Sequence, residues 1–163
     1  MKMKPNNQRS QTSSSERVLD YGGLDEMIGI ALLRAYNTAY KFFYESIEKE
    51  FRPGFYTTLS LIQKNPGLTQ KALAHAIGRD PSTIVPILDQ LEDKGWVVRR
   101  RSEVDRRAHA LHATPTGAAM ARRLDKKVTS VEAKIEESFG RANNRQLLNL
   151  LKSFQHSFED DAN

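Results

Sequence analysis

The chain has 163 residues, 39% hydrophobic and 28% charged, a balance that suits one globular domain with an attached helical extension and excludes wholesale disorder. Its formal charge of +5 favours a polyanionic partner, and the lack of cysteine excludes disulfides, thiolate zinc sites and cysteine nucleophiles. No apolar run approaches the roughly 20 residues that span a bilayer, so a cytoplasmic protein with no membrane association is expected.

Residues 1–20 are polar and basic, without the apolar core of a signal peptide, and are expected to form a flexible tail. From Leu24 to about Glu50, apolar residues recur at helical spacing through Leu24, Ile28, Ala31, Leu32, Ala35, Ala39, Phe42, Phe43 and Ile47. The segment Phe51-Arg52-Pro53-Gly54 breaks that pattern, and Pro53 is expected at the first position of a second helix carrying Phe55, Leu59 and Ile62 on one face. Asn65-Pro66-Gly67 ends it with turn-forming residues.

Thr69 is then suited to cap a short helix, Gln70 to about Ile77, whose Leu73, Ala74 and Ile77 face inward. After Gly78, Asp80 caps a further helix with Pro81 at its first position and Ile84, Leu88 and Leu91 as its apolar stripe. Lys94-Gly95 closes that helix. The hydrophobic period next shortens to two, which predicts a hairpin of strands 96–101 and 108–113 around a polar turn, Ser102 to Arg107. Thr114-Pro115 opens a long helix striped by Met120, Leu124, Val128, Val131, Ile135 and Phe139, which Gly140 stops. A last helix, Asn144 to Phe158, carries Leu147, Leu148, Leu150, Leu151, Phe154 and Phe158.

Two short helices joined by a glycine-containing turn and followed by a hairpin make a winged helix-turn-helix, here from about Thr69 to Ala113, which would read double-stranded DNA. The charge agrees. Between Lys94 and Arg107 lie six basic residues against Glu103 and Asp105, so this stretch carries +4 of the chain's +5. A hairpin held against phosphates gains from such one-sided charge through counterion release. Ser82 and Thr83, opening the second helix of the pair, are expected to meet bases or phosphates, and Gln90 to reach a base or phosphate two turns on. Thr69 and Gln70 stand where the first helix would meet the backbone. Arg99, Arg100, Arg101 and Arg106 are expected on phosphates; alternation on a strand sends Arg99 and Arg101 one way and Arg100 the other.

An enzyme is not expected. His75, His109, His112 and His156 are scattered, the pair His109 and His112 falls on opposite faces of a strand, and no glycine-rich phosphate loop or nucleophile motif occurs. No cofactor, metal site or catalytic residue is implied.

The segment Leu68 to Gly117 resembles the winged core of the MarR family of transcriptional regulators, through Leu73-Ala74, Pro81-Ser82-Thr83, Leu91-Glu92-Asp93-Lys94-Gly95, Asp105-Arg106-Arg107 and Thr114-Pro115-Thr116-Gly117. The resemblance implies a mainly α fold with a small β wing, flanked by N- and C-terminal dimerisation helices. The expected division is a tail over 1–20, a dimerisation and effector helix over 21–52, the DNA-binding domain over 53–113 and dimerisation helices over 114–163. It further implies that Arg107 enters the minor groove, oriented by Asp105, and that the protein is a homodimeric repressor of a pseudo-palindromic operator. Release would follow binding of a small aromatic or phenolic acid or its CoA thioester. Arg34, Tyr36, Tyr40, Phe43, Tyr44, Arg52 and Phe55, with Tyr56 beside them, occupy the corresponding part of the first two helices. Pro86 departs from the resembled pattern: proline inside a helix removes a backbone donor and crowds the preceding turn.

Overall fold

A computed structural model of the chain describes residues 19–47, 54–101 and 109–159. Two compact units, Met1–Thr38 and Ala39–Asn163, divide it within the first long helix. In the first unit the helix expected from Leu24 is interrupted. A 3-10 turn, Leu24–Glu26, ends at Met27, whose backbone is extended, and α1 (Ile28–Ser46) begins after it. The apolar spacing runs through Met27 without a gap, so periodicity alone hides the break. No residue of α1 is buried.

The second unit holds the core. Helix α2 (Phe55–Lys64) buries Phe55, Leu59 and Ile62, as its spacing predicts. It starts later than expected: Gly54, in the left-handed region at φ 86°, occupies the N-cap, so Pro53 is not the first helical residue and lies outside the described residues. A side chain at Gly54 would also meet Ile87 Cδ1 at 3.1 Å.

Helix α3 (Gln70–Ile77) is capped by Thr69, whose side chain accepts from Ala72 N–H, and ends at Gly78 in the left-handed conformation. Helix α4 (Pro81–Asp93) is capped by Asp80 and turns its Ile84, Leu88 and Leu91 fully inward. It continues through Pro86. Proline cannot donate to the carbonyl one turn back, but neighbouring bonds and the buried stripe carry the helix past it.

The wing has one strand more than expected. Strands β2 (Val97–Arg101) and β3 (His109–Ala113) pair antiparallel, with Arg99 opposite Leu111. A two-residue strand, β1 (Leu68–Thr69), pairs with the other edge of β3, giving the order β1-β3-β2. Two residues cannot display a period of two, so Thr69 read only as a cap; it serves both roles. The chain from 102 to 108, including the turn, lies outside the described residues.

Helix α5 (Pro115–Phe139), capped by Thr114, contributes Ala121 and Leu124 to the core. Helix α6 (Arg141–Glu159) begins directly after Gly140, three residues earlier than the expected start at Asn144. Leu147, Leu148, Leu150 and Phe158 on it are exposed. Among the described residues no helix is long and apolar enough to cross a membrane.

Candidate nucleic-acid interface

The start of α4 is built by Asp80. Its Oδ1 accepts from the backbone N–H of Ser82 at 2.8 Å and from the Ser82 hydroxyl at 2.6 Å. That hydroxyl, and next the backbone N–H, hold the Asp80 carboxyl below its ordinary pKa. The Thr83 hydroxyl donates to the Asp80 carbonyl at 2.7 Å. Both side chains are exposed with their protons turned to the cap, which leaves oxygen lone pairs facing outward as acceptors. Gln70 Nε2 donates to the carbonyl of Pro81 at 3.1 Å, so it ties the start of α3 to the start of α4. Arg79, exposed in the turn between the helices, adds a cation that belongs to no apolar pattern or basic run.

Arg99 departs from expectation. Its Nη1 lies 2.6 Å from Glu92 Oε2 and its Nη2 lies 2.8 Å from Asp89 Oδ1, both carboxylates on α4. Its backbone N–H also donates to Glu92 Oε1 at 3.0 Å. Alternation along β2 explains this: Arg99 shares a face with buried Val97, and that face looks toward α4. Arg99 therefore joins wing to helix rather than standing open to phosphates, whereas Arg100 and Arg101 are exposed. Its partners Asp89 and Glu92 form an i, i+3 pair on the last turns of α4, and nothing in their spacing names an arginine of the following strand. Asp105, Arg106 and Arg107 lie outside the described residues.

The base of the wing is welded to α5. Thr114 Oγ1 donates to the carbonyl of Gly95 at 2.7 Å and accepts from Gly117 N–H at 3.0 Å, and Thr116 Oγ1 reaches the same carbonyl at 3.0 Å. Gly117 packs so closely on the backbone of Trp96 that an added Cβ would sit 1.9 Å from its carbonyl oxygen. Lys94 Nζ lies 5.2 Å from the centre of the Trp96 ring.

A second feature lies within the second unit. A cavity of about 330 Å³ is lined by Tyr40, Phe43, Tyr44 and Ile47 of the first helix and its end, Gly54, Tyr56 and Thr57 at the start of α2, and Leu124, Val128 and Glu132 of α5. Tyr40 and Tyr44 stack with ring centres 6.0 Å apart. The Tyr56 hydroxyl donates to Asp125 Oδ1 at 2.9 Å, and Ser60 reaches the same oxygen at 3.5 Å. Burial first, then the bond to Asp125, raises the Tyr56 pKa. Of the expected effector residues, Tyr40, Phe43 and Tyr44 line the cavity. Phe55 does not: it is 1% exposed within the core, and the next residue round the helix, Tyr56, takes the wall instead. In the first unit Tyr36 is exposed and the Arg34 guanidinium lies 5.0 Å over the Tyr21 ring. Arg52 lies outside the described residues. The contributions of α5 carry no separate sequence signal, because Leu124 and Val128 belong to the same apolar stripe that packs the core.

A capped helix pair followed by a basic hairpin, whose second strand also pairs with the short strand before the pair, defines a winged helix-turn-helix DNA-binding protein. The sequence pattern of the MarR family matches residues 53–109. A protein of Thauera aromatica assigned as a transcriptional regulatory protein for the hcr operon is 35% identical over 148 residues, 89% of either chain. The transcriptional repressor CouR bound to a 23-mer DNA duplex is 34% identical, with a TM-score of 0.76 over 84% of this chain and 98% of that one. CouR bound to p-coumaroyl-CoA is 32% identical, with a TM-score of 0.76 over 84% of this chain and 97% of that one. PcaV from Streptomyces coelicolor, 21% identical with a TM-score of 0.74 over 86% of this chain and 97% of that one, shares the fold. The chain belongs to the MarR family and is a DNA-binding transcriptional regulator.

Proposed function

We propose that this regulator is a homodimeric repressor of a pseudo-palindromic operator, released by a small aromatic or phenolic acid or its CoA thioester. The observation that carries the release is the aromatic cavity: α2 forms one wall and packs on α3 and α4, while α5 forms another and is welded to the wing base. A ligand there touches both supports of the DNA-reading unit. Release requires that it prefer the arrangement in which the two reading heads are wrongly spaced. At about 330 Å³ the cavity lies near the lower end of the roughly 300–1,000 Å³ range of ligand sites, a size for an aromatic acyl group with the bulk of CoA outside. The similarity to CouR, solved with p-coumaroyl-CoA, supports the same class of ligand.

On the DNA, α4 enters the major groove with Ser82, Thr83 and Gln90 toward bases, and Thr69 and Gln70 bring the start of α3 to the phosphate backbone. Arg100, Arg101 and Arg106 contact phosphates, and Arg107, oriented by Asp105, enters the minor groove. Exposed Leu147, Leu148, Leu150 and Phe158 on α6, and Leu24, Ile28 and Leu33 in the first unit, support dimerisation through the terminal helices, since large apolar residues gathered on the same helices, unlike single ones scattered over a surface, mark an interface. A two-fold dimer places its reading heads about 34 Å apart on successive major grooves.

The test is binding of the full chain to its genomic operator, followed by fluorescence anisotropy, against free aromatic acids and their CoA thioesters. Release by a member of that panel is expected; no response across it removes the effector reading. Sedimentation that finds only monomer at micromolar concentration removes the dimer.

A further inference from the structure

The outward face of α4 has an apolar centre. Taking about 100° per residue, Ile84, Leu88 and Leu91 cluster within about 60°, and Pro86 falls within about 20° of the point opposite their middle. Ile84, Leu88 and Leu91 are fully buried, and Pro86 is exposed. Ser82 lies one turn before it on the same face, and Gln90 and Asp89 lie one turn after. Asp89 is drawn aside toward Arg99, whose guanidinium it shares with Glu92. What remains at the centre of the face is a rigid apolar ring.

Proline in a helix interior forfeits a backbone hydrogen bond and crowds the preceding turn. The core does not call for it here, because the ring points away from the core. A polar residue at this position would be compatible with solvent and would favour the helix. In the major groove the one apolar group on a base edge is the C5-methyl of thymine, which side chains read by apolar contact.

We infer that Pro86 is a specificity-determining residue, which packs against the 5-methyl group of a thymine in each operator half-site. The inference rests on α4 being the helix that enters the major groove. Ser82 and Thr83, whose hydroxyl protons are turned to the cap, supply acceptors at the leading end of the helix, and Pro86 supplies the apolar contact one turn behind. Its ring fixes the contact without side-chain rotamer entropy to lose.

The experiment is a uracil scan. The full-length protein selects its preferred duplex from a random-sequence pool, and each thymine of that duplex is then replaced singly by deoxyuridine, which lacks only the methyl group. Wild-type protein is expected to lose about fourfold in affinity at one thymine per half-site, the scale of one buried methyl or methylene group. Pro86→Ser is expected to bind the thymine and deoxyuridine duplexes equally at that position, while Pro86→Val retains a preference for thymine. The inference is overturned if no thymine is sensitive, or if Pro86→Ser keeps the wild-type discrimination and merely binds all duplexes more weakly. Selection of no preferred duplex would instead remove the operator reading, and this inference with it.

Discussion

The guanidinium of Arg99 meets the Glu92 carboxylate at 2.6 Å, and the backbone N–H of Arg99 donates to the other oxygen of the same carboxylate at 3.0 Å. With Asp89 at 2.8 Å, one arginine of the wing bridges two carboxylates of α4, and the three groups together keep a net charge of −1. The count of basic residues in the wing segment therefore overstates the charge open to DNA, because one of them is spent inside the fold.

A change of Arg99 to Gln is expected to behave differently from a change of Arg100 to Gln. The first leaves Asp89, 52% exposed, as an uncompensated charge beside the groove. A unit-charge repulsion across about 4 Å of water is about 1 kcal/mol, so operator affinity should fall about fivefold. Because no phosphate contact is lost, the slope of log K against log salt should stay near the wild-type value. Arg100→Gln should flatten that slope by about 0.9, the contribution of one neutralised phosphate. Equal flattening by both variants would return Arg99 to the phosphates.

Two glycines should respond to alanine with opposite signs. Gly29 in the first turn of α1 has open space around its missing side chain and ordinary backbone geometry, so Gly29→Ala should stabilise by up to about 1 kcal/mol, the helix-interior limit of the propensity difference. Gly117 in α5 would gain the same propensity, but its Cβ would stand 1.9 Å from the Trp96 carbonyl oxygen. Neither backbone can move without parting the wing from α5. Gly117→Ala should therefore destabilise by about 3 kcal/mol, the upper end of ordinary overpacking, as read by urea unfolding.

The hydroxyl of Thr114 is engaged twice, as the cap of α5 and as donor to Gly95. Thr114→Ala should cost about 2 kcal/mol, roughly 1 for the cap and 1 for the hydrogen bond, while Thr114→Ser keeps most of that stability. Thr69→Ala removes only a cap on α3 and should cost about 1 kcal/mol. Denaturant midpoints at constant m-value decide between these outcomes.

Tyr56 gives a pH signature. Burial and the neighbouring Asp125 raise its folded-state pKa above the ordinary tyrosine value of 10.0. The phenol is the proton-bound form, so this contribution to stability is fully present below pH 10 and is lost as pH rises through the folded pKa. Wild-type stability should fall more steeply in that alkaline window than that of Tyr56→Phe. Asp125→Asn should bring the phenol back toward its ordinary range, as followed by tyrosinate absorbance.

The DNA-binding fold was legible because its signals are local. Asp80-Pro81, Thr114-Pro115 and Gly78 act on their own neighbours, and Ile84, Leu88 and Leu91 report burial through period alone. Strand β1 was hidden because its two residues take their strand character from a partner more than forty positions away. The Arg99 clamp needed the relative placement of β2 and α4, although Val97 already hinted at which face Arg99 would share. The cavity was half legible: Tyr40, Phe43 and Tyr44 announced aromatic content, but Leu124 and Val128 face it only because α5 crosses α2. Spacing cannot tell a stripe that fills a core from one that lines a cavity.

Pro86 separates stability from recognition. Inside a helix proline is about 3 kcal/mol less favourable than alanine, and the restriction it places on the unfolded chain returns up to about 1 kcal/mol. Its side chain is exposed, so replacing it removes no core packing. Pro86→Ala should therefore raise the unfolding free energy by about 2 kcal/mol, measured in urea, while discrimination between thymine and deoxyuridine at the sensitive operator position weakens. A stabilised variant with wild-type discrimination would make the proline dispensable for reading DNA. A destabilised variant would mean that the ring supports α4 through contacts its exposure does not suggest.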